Sequence, residues 1–253
     1  MAMQSNLTGA TGSTVDPAEV AKFSRLSAEW WDPNGKMKPL HRINPLRLTY
    51  IRDAACRKFS RNVKSLNCLS DLRILDIGCG AGLLCEPLTR LGAQVIGVDP
   101  SASNIAAAKL HADKGHLSID YRCTTIEEMD VRERFDIVLA MEVVEHVTDI
   151  GAFLGRCAAM LKPGGLMVVS TLNRNWKSFA LAIVGAEYVL RWLPRGTHQW
   201  EKFVTPDELA KYLLDNRLVV TEQTGVVYSP FADRWSLSSD IDVNYMVIAE
   251  EMV

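Results

Sequence analysis

The segment LDIGCGAG at residues 75–82, followed by GVD at residues 97–99, decides the fold of this chain. Residues 73–77, which include the start of this segment, are mostly apolar, which is typical of a strand buried on both faces. The three alternating glycines permit positive φ angles and let a ligand approach the backbone closely. The pattern predicts a buried strand, a glycine-rich turn, a helix near 83–91 and a second strand near 94–98.

Two aspartates frame this turn and indicate what it binds. Asp76 interrupts the apolar strand just before the turn, and Asp99 closes the second strand. A carboxylate at Asp99 can accept hydrogen bonds from both hydroxyls of a ribose. The helix after the turn offers free N–H groups at its N-terminus. These features predict a pocket for an adenosine-containing cofactor, with Asp76, Gly78, Gly80 and Asp99 among the residues that bind it.

Two classes of cofactor compete for such a pocket. A nicotinamide-binding turn reads G-x-G-x-x-G, but the sixth position here is Leu83, and the third glycine, Gly82, comes one residue early. This spacing, with an aspartate on either side, favours S-adenosylmethionine and hence a methyltransferase. An NAD-dependent oxidoreductase and a non-catalytic sensor of S-adenosylmethionine are the alternatives. A purely structural turn would explain the glycines but not both aspartates.

Length and composition bound the class of protein. The chain has 253 residues, 48% of them hydrophobic and 23% charged, which suits one large α/β domain with extensions. The net charge is −2 and no basic stripe is visible, so a nucleic-acid partner is not expected. The six cysteines lack metal-type spacing and suit a reducing compartment. Residues 1–14 lack the features of a secretory signal and are expected to be disordered.

Apolar strands alternate with helices through most of the chain. This alternation predicts an α/β fold, with a mostly parallel seven-stranded sheet and helices on both of its faces. In such sheets the ligand binds beyond the carboxyl ends of the strands. Strands are predicted near 73–77, 94–98, 118–122, 135–140, 166–171, 218–225 and 243–249, and helices near 83–91, 101–114, 149–161 and 206–215.

Two additions accompany the predicted core, which spans residues 66–253. Residues 15–65 form an N-terminal helical cap. Its first helix starts at Asp16 and is expected to extend towards Trp31, because aspartate followed by proline is a common helix start. The second addition is a helical insertion at residues 176–199, which the alternation of strands and helices does not need.

The insertion contains the most apolar stretch of the chain, residues 178–193. Glu187 and Arg191 interrupt it, and a membrane-spanning helix needs about 20 apolar residues, so it does not comfortably cross a bilayer. Basic residues and tryptophans flank it, which favours a helix lying in the headgroup region of a membrane surface, over residues 176–195. The alternative is an ordinary lid helix over the active site.

A polar cluster follows the fourth predicted strand. If the chain becomes helical after Met141, then Glu142, Glu145 and His146 lie at i, i+3 and i+4 on one helix face. His146 could act as a general base for an acceptor hydroxyl, because imidazole titrates near neutral pH. The three side chains could instead hold a divalent cation. They could also form a solvated acidic face, and their spacing leaves the three readings open.

Several longer strings resemble the ubiquinone-biosynthesis O-methyltransferase family. The resemblance covers roughly residues 16–249, nearly the whole chain. The glycine turn is shared by many methyltransferases, whereas the flanking strings are specific to this family. The strings are WWD at 30–32, KPLHRINPLR at 38–47, STLNRN at 170–175, VGAEY at 184–188, PRGTH at 194–198 and DVNYM at 242–246.

The resemblance implies a class I methyltransferase with a Rossmann-like fold. It implies S-adenosylmethionine-dependent O-methylation of two polyprenylated catechols, a 2-polyprenyl-6-hydroxyphenol and 3-demethylubiquinol. Another small phenolic acceptor is the alternative within methyltransferases. The expected location is the cytoplasm, peripherally associated with the inner membrane, and a complex with other enzymes of ubiquinone biosynthesis is left open.

The resemblance also implies roles for particular residues. The family's cofactor contacts fall on Arg47, Gly78, Asp99 and Met141. Arg47 is expected to contact the carboxylate end of the cofactor, since its fork geometry suits such a pairing, and Met141 is expected near the adenine end. A magnesium site seen in some relatives matches Glu142, Glu145 and His146, so Mg²⁺ joins S-adenosylmethionine as an expected cofactor.

Overall fold

One eight-stranded sheet organises the residues that this computed structural model describes, which are 12–179, 200–229 and 232–252. The strands are β1 (Arg73–Ile77), β2 (Gln94–Asp99), β3 (Asp120–Cys123), β4 (Phe135–Met141), β5 (Leu161–Leu172), β6 (Leu218–Ser229), β7 (Arg234–Ser238) and β8 (Asn244–Glu251). The helices are α1 (Pro17–Ser24), α2 (Lys38–Lys58), α3 (Cys85–Arg90), α4 (Ala102–Lys114), α5 (Ile150–Ala159), the single turn α6 (Trp176–Ser178) and α7 (Pro206–Asp215).

The order of strands in the sheet is β3-β2-β1-β4-β5-β8-β6-β7. The first five are parallel to one another, and β8, β6 and β7 join them by antiparallel pairing. The chain starts in the middle at β1, moves outward to β3 and returns to β4. It therefore reverses direction between β1 and β4, where α/β proteins bind their ligands. The predicted α/β class with a mostly parallel sheet is confirmed.

The prediction of seven strands is wrong by one. The chain turns back after β6 and forms β7, which pairs with β6 so that Tyr228 lies opposite Trp235. The two rings are 5.3 Å apart, a cross-strand aromatic contact of the kind that stabilises an antiparallel pair. β7 has five half-exposed or exposed residues, so it lacks the buried apolar run by which the other strands were predicted.

Helices cover both faces of the sheet, and the central strands are therefore buried on both sides. In β4, Ile137 and Leu139 pack with α2, α3 and α4, while Val138 and Ala140 pack with α5 and α7. Successive residues of a strand point to opposite faces, so a strand between two helical layers is apolar at most positions. This is why β1 is apolar apart from Arg73 at its start and Asp76 near its end.

The N-terminal cap lies over the carboxyl ends of the strands. α1 starts as predicted, with the Asp16 side chain accepting a hydrogen bond from the Ala18 N–H. It ends at Ser24, short of Trp31, and a separate 3-10 turn follows. The second helix of the cap, α2, has 21 residues and contains Arg47 near its middle, which carries that side chain to the sheet edge.

Residues 13–24 form a segment that we call the N-terminal strap. A backbone bridge joins Val15 to Val147, and the Thr148 N–H donates to the Thr14 carbonyl at 2.8 Å. Thr14 is buried and also hydrogen-bonds to Glu127. The expectation of disorder for residues 1–14 is therefore wrong at Thr14, because these backbone and side-chain bonds hold it. Residues 1–11 lie outside the described part of the chain.

The apolar stretch of the insertion falls largely on residues 180–199, which lie outside the described part. The prediction of a helix at a membrane surface therefore stays a prediction. Among the described residues, no helix has both the length and the apolar character needed to cross a bilayer.

Candidate active site

A cavity of about 1250 Å³ opens at the carboxyl ends of β1, β2 and β4, beneath the N-terminal strap. Pockets for single drug-sized ligands measure about 300–1,000 Å³, so this cavity has room for a cofactor and an acceptor together. All nine predicted site residues border it: Arg47, Asp76, Gly78, Gly80, Asp99, Met141, Glu142, Glu145 and His146.

The glycine turn forms one wall and leaves no space for side chains. Gly78 and Gly80 have φ angles of +68° and +55°. A Cβ atom on Gly80 would lie 2.5 Å from the ring of Trp30, and one on Gly78 would lie 2.7 Å from Val143 Cγ2. Glycine is thus required here both by backbone conformation and by the close approach of neighbouring side chains.

Asp99 ties the end of β2 to this turn. Its carboxylate accepts hydrogen bonds from the Gly80 N–H at 3.0 Å, the Ser101 N–H at 2.9 Å and Asn104 Nδ2 at 3.3 Å. Burial raises the pKa of Asp99, although these hydrogen bonds act in the opposite direction. A carboxylate offers about four acceptor positions, so Asp99 retains capacity for a ligand hydroxyl.

Asp76 has a sparser environment. It is 3% exposed and accepts a hydrogen bond from Cys85 Sγ at 3.1 Å, which is a weak donor. Burial raises the pKa of Asp76 to about 7. A buried carboxylate with so few donors is an acceptor that a cationic or N–H-bearing ligand would satisfy. The donor set of the turn therefore fits an adenosine cofactor with a charged amino-acid end.

Two tryptophans of the cap fasten it to the turn, and the prediction of site residues did not include them. Trp30 Nε1 donates to Asn104 Oδ1 at 3.1 Å. Trp31 Nε1 donates to the Ala81 carbonyl at 3.0 Å, and its ring stacks on His111 at 3.4 Å. The WWD string marked them as a family signature but did not show that they contact the glycine turn.

The predicted helix face after Met141 does not exist. Glu142 has a φ of +57°, outside any right-handed helix, and a short 3-10 turn covers Val144–His146. Two bonds fix this conformation, because the Glu142 N–H donates to both the carbonyl and the Oγ of Ser170. Glu142, Glu145 and His146 consequently point to different partners.

Glu142 pairs with Arg47 across the junction of β4 and α2. Arg47 Nη2 lies 2.8 Å from Glu142 Oε1, and Ser170 Oγ and Asn244 Nδ2 donate to the same oxygen. Arg47 is 4% exposed, and its Nε–H has no hydrogen-bond partner among the described residues. A buried guanidinium with one donor left over is suited to an additional carboxylate.

Glu145 is buried and half satisfied. Its Oε2 accepts from Thr171 Oγ1 at 2.8 Å, whereas its Oε1 has no hydrogen-bond partner among the described residues. Burial, followed by the negative charge of Glu142, raises the pKa of Glu145. The side chain of Glu145, which carries this oxygen, borders the cavity.

His146 contacts the N-terminal strap. Its Nδ1 lies 3.0 Å from Glu19 Oε2, and its ring meets the edge of Phe23 at 5.1 Å. The hydrogen bond from His146 lowers the pKa of Glu19 to about 2. Glu19 was absent from the predicted site because the sequence presents it only as an acidic residue in the first turn of a helix.

These contacts bear on the predicted magnesium site. Within the described ranges, no group of three or more histidine, cysteine, aspartate or glutamate side chains could hold a metal ion. Glu142 is neutralised by Arg47, Glu145 bonds to Thr171, and His146 bonds to Glu19. As arranged here, the three side chains do not fit a magnesium ligand set, which needs oxygen atoms converging at about 2.1 Å in octahedral geometry.

Comparison with known proteins places the chain in a family. A family model described as "Methyltransferase domain" matches residues 48–223. The chain is 86% identical to the ubiquinone biosynthesis O-methyltransferase of Bradyrhizobium sp. (strain ORS 278), and the match covers the whole of both chains. It is 80% identical to the protein of that name from Rhodopseudomonas palustris (strain BisB18), over 99% of this chain and 98% of the relative.

Solved structures agree on the fold. Magnesium protoporphyrin IX methyltransferase from Synechocystis PCC 6803 with bound SAH matches with a TM-score of 0.66 at 16% identity, over 92% of this chain and 95% of that one. The N-methyltransferase NodS from Bradyrhizobium japonicum WM9, in complex with S-adenosyl-L-homocysteine, matches with a TM-score of 0.57 at 17% identity, over 93% and 99%. The chain is an S-adenosylmethionine-dependent methyltransferase and belongs to the ubiquinone biosynthesis O-methyltransferase family.

Proposed function

We propose that this chain methylates phenolic hydroxyls of polyprenylated catechols, namely a 2-polyprenyl-6-hydroxyphenol and 3-demethylubiquinol. The names of its relatives support the pathway and the type of reaction. The observation that carries the proposal is the single cavity that joins the glycine turn to His146. Methyl transfer requires donor and acceptor to meet in line, so their binding groups must share one enclosed space.

The cofactor half of the cavity would be formed by the predicted cofactor-binding residues. S-adenosylmethionine, when bound, supplies an electrophilic methyl carbon on a positively charged sulfur. Asp99 would accept a hydrogen bond from a ribose hydroxyl, and Asp76 would face the positively charged part of the cofactor. The spare N–H of Arg47 would bind the cofactor's carboxylate, while the backbone of the turn at Gly78 and Gly80 and the side chain of Met141 would line the rest.

The acceptor half would supply a base. A phenol ionises near pKa 10, about three units above neutral pH, so an unaided hydroxyl adds roughly 4 kcal/mol to the barrier. His146 borders the cavity, and its Nδ1 is engaged by Glu19, which leaves Nε2 for the acceptor. We assign Nε2 of His146 to take the hydroxyl proton as the oxygen bonds to the methyl carbon. Glu142 and Glu145 would orient the neighbouring hydroxyl of the catechol.

An apolar arm of the cavity suits the isoprenoid tail. Leu40 of α2, Val226 and Tyr228 of β6 and Trp235 of β7 are among the apolar side chains that border the cavity. Burying apolar surface there would stabilise the complex by about 25 cal/mol per Å². The tail would thus extend along the antiparallel end of the sheet while the ring faces His146.

Magnesium stays part of the proposal as a dependence to be tested. The unsatisfied Oε1 of Glu145 is the feature that supports a cation near the acceptor, and the engagement of Glu142 by Arg47 is the feature against it. We expect turnover after exhaustive chelation to remain within about twofold of the untreated rate if His146 is the base. If chelation lowered turnover further and added magnesium restored it, a metal ion and not His146 would be responsible for ionising the acceptor hydroxyl.

We also propose that the chain works in the cytoplasm at the surface of the inner membrane, through residues 176–195. Trp176 is 79% exposed and stacks with Trp200 at 6.0 Å, and Phe179 lies at the edge of both rings. Exposed aromatic rings beside basic residues suit a headgroup region. Flotation with anionic vesicles should recover the protein, and deleting 178–193 should abolish flotation while cofactor binding persists. Adding other enzymes of the pathway to the same flotation assay would show whether they form a complex with this chain.

The direct test uses labelled S-adenosylmethionine and a short-tailed 2-prenyl-6-hydroxyphenol. We expect one labelled methyl ether per cofactor consumed, with no product when the hydroxyl is absent. Thermal stabilisation by S-adenosylhomocysteine but not by NAD would exclude the oxidoreductase, since only a true ligand raises stability at modest concentration. A protein that binds S-adenosylhomocysteine yet methylates no phenol would contradict the proposed function.

A further inference from the structure

Two asparagines border the cavity without belonging to the proposed cofactor site. Asn44 lies in the string at 38–47 and Asn244 in the string at 242–246. They come from different elements, since Asn44 is in α2 and Asn244 starts β8. A carboxamide offers two N–H donors and an acceptor oxygen, so one that lacks partners at a cavity wall is suited to a polar group of a ligand.

One face of α2 borders the cavity and carries Asn44 between two regions with proposed ligands. Leu40, Asn44 and Arg47 all line the cavity, and their spacing of four and three residues puts them on the same helix face. Along the helix axis, Asn44 is about 4.5 Å from Arg47 and about 6 Å from Leu40. Because Arg47 is proposed to bind the cofactor's carboxylate and Leu40 to contact the tail, Asn44 lies at the level of the acceptor ring.

Neither carboxamide is fully hydrogen-bonded. The half-buried Asn44 side chain makes no hydrogen bond with any described residue. Asn244 is 8% exposed, and its Nδ2 donates to Glu142 Oε1 at 3.1 Å. Arg47 Nη2 also donates to that oxygen, so the amide of Asn244 must turn its N–H side towards Glu142. Its buried Oδ1 is then left without a partner among the described residues.

We propose that Asn44 and Asn244 form a carboxamide subsite that binds the non-reacting hydroxyl of the catechol and so selects acceptors with two adjacent oxygens. This inference rests on the proposed function. A hydroxyl donates one hydrogen bond and can accept others, so the catechol hydroxyl donates to Asn244 Oδ1 and accepts from Asn44 Nδ2. One group of the substrate thereby satisfies both amides, and Glu142 orients that hydroxyl through Asn244.

Neutral side chains suit this place better than charged ones. The reacting oxygen gains negative charge as its proton leaves, and an uncompensated carboxylate beside it would oppose this through charge repulsion. A carboxamide binds the adjacent hydroxyl without adding charge. Both proposed acceptors carry a hydroxyl next to the one that is methylated, so a single subsite serves both.

The test measures how tightly two acceptors bind to the complex of the full-length protein with S-adenosylhomocysteine. One is a short-tailed 2-prenyl-6-hydroxyphenol, and the other is the matching 3-prenylphenol, which lacks the non-reacting hydroxyl. The variants are Asn44→Leu and Asn244→Leu, which remove the amide and keep a similar volume. Thr49→Val is the control, because Thr49 is in the same helix, donates to the Pro45 carbonyl at 2.9 Å and is not among the described residues that border the cavity.

We expect each asparagine variant to bind the hydroxyphenol roughly 5- to 100-fold more weakly than the wild type, since the buried hydroxyl loses a partner. Binding of 3-prenylphenol and of S-adenosylhomocysteine should stay within about twofold, because neither uses the subsite. The value of kcat/KM for the hydroxyphenol should fall in proportion to its affinity. Thr49→Val should match the wild type for both acceptors.

Unchanged affinity for the hydroxyphenol in both asparagine variants would overturn the inference, and so would equal losses for the two acceptors. A loss in one variant alone would assign the contact to that residue and refute a two-residue subsite. A parallel loss of S-adenosylhomocysteine affinity would show that the asparagines support the Arg47–Glu142 pair instead. These outcomes leave methylation by the wild type intact, whereas a wild type that binds the hydroxyphenol and methylates none of it would refute the proposed function.

Discussion

Gly80 marks the closest approach between the cap and the glycine turn. Its positive φ and the Trp30 ring above it act together, since the first excludes most side chains by backbone strain and the second by volume. Gly164 shares the first condition but not the second. It has a φ of +75°, and among the described residues, its two chain neighbours aside, no atom lies within 4 Å of an added Cβ. Comparing substitutions at Gly80 and Gly164 therefore separates the effect of backbone strain from the effect of contact with Trp30.

We predict that Gly80→Ala weakens S-adenosylhomocysteine binding at least tenfold, because the added methyl displaces Trp30 or shifts the turn. Gly164→Ala should leave binding unchanged and cost about 1–2 kcal/mol of stability from its backbone conformation. Calorimetric titration and urea unfolding of both variants measure the two effects. Equal changes in binding for both variants would show that the contact with Trp30 is unimportant.

Asp76 predicts a dependence of stability on pH. Burial raises its pKa to about 7, so the ligand-free fold keeps a proton that the unfolded chain loses near pH 4. The fold therefore binds more protons between those values, and its stability falls as pH rises through them, by up to about 1.4 kcal/mol per pH unit. The stability that depends on a protonated Asp76 is therefore fully present below about pH 4 and is lost above about pH 7.

Asp76→Asn cannot ionise and should escape this loss. The free energy of unfolding of the variant should therefore increase relative to that of the wild type by about 2–3 kcal/mol between about pH 5 and pH 7.5. Urea unfolding of both ligand-free proteins at the two pH values measures it. A difference that does not vary with pH would mean that Asp76 is ionised in the fold.

Residues of the turn could be predicted from sequence because their spacing is local. Asp76, the glycines and Asp99 follow directly from a strand, a turn and a second strand. The pairs Arg47–Glu142 and Glu19–His146 could not, since each joins residues far apart in the chain whose meeting depends on how the cap docks. The left-handed conformation of Glu142 was equally hidden, because it depends on hydrogen bonds that the Glu142 N–H donates to Ser170 on the neighbouring strand.

At the scale of elements, the cap completes the cavity that the sheet opens. Trp30 covers Gly80 and bonds to Asn104, so it links the cap, the turn and the start of α4. We predict that Trp30→Ala weakens S-adenosylhomocysteine binding by roughly tenfold, equivalent to about 1.4 kcal/mol, since the turn loses its cover and Asn104 its partner. Titration calorimetry measures the change.

Trp176→Ala is the matched control, because Trp176 is exposed on α6 and does not border the cavity. It should leave S-adenosylhomocysteine binding unaltered and reduce flotation with anionic vesicles. If both variants bound the ligand like the wild type, the cap would not contribute to the cofactor half of the cavity.

The strand β7 shows why elements differ in how well they can be predicted. Central strands carry nearly continuous apolar runs because helices cover both faces. The bounds of β4 were predicted to within one residue, whereas β5 begins five residues before its predicted start. β7 lies at the end of the sheet and is half exposed, so its five residues carry no comparable pattern. It is held by pairing with β6, and the Tyr228–Trp235 contact belongs to that pairing.

At the scale of the whole molecule, three separate regions build one cavity. The sheet supplies the glycine turn and the end of β4, the cap supplies Trp30 and Glu19, and the antiparallel end supplies Tyr228 and Trp235. The volume of about 1250 Å³ accommodates two ligands at once. We infer that binding of the cofactor and docking of the strap together create the place where the acceptor's hydroxyl is held.

A crystal structure with S-adenosylhomocysteine and a short-tailed 2-prenyl-6-hydroxyphenol tests this most directly. We expect the ribose of S-adenosylhomocysteine against Asp99, its sulfur facing the acceptor oxygen, and that oxygen within hydrogen-bond distance of His146 Nε2. An acceptor bound outside this cavity, or one whose hydroxyl lies away from His146 with Glu19 undocked, would contradict the account.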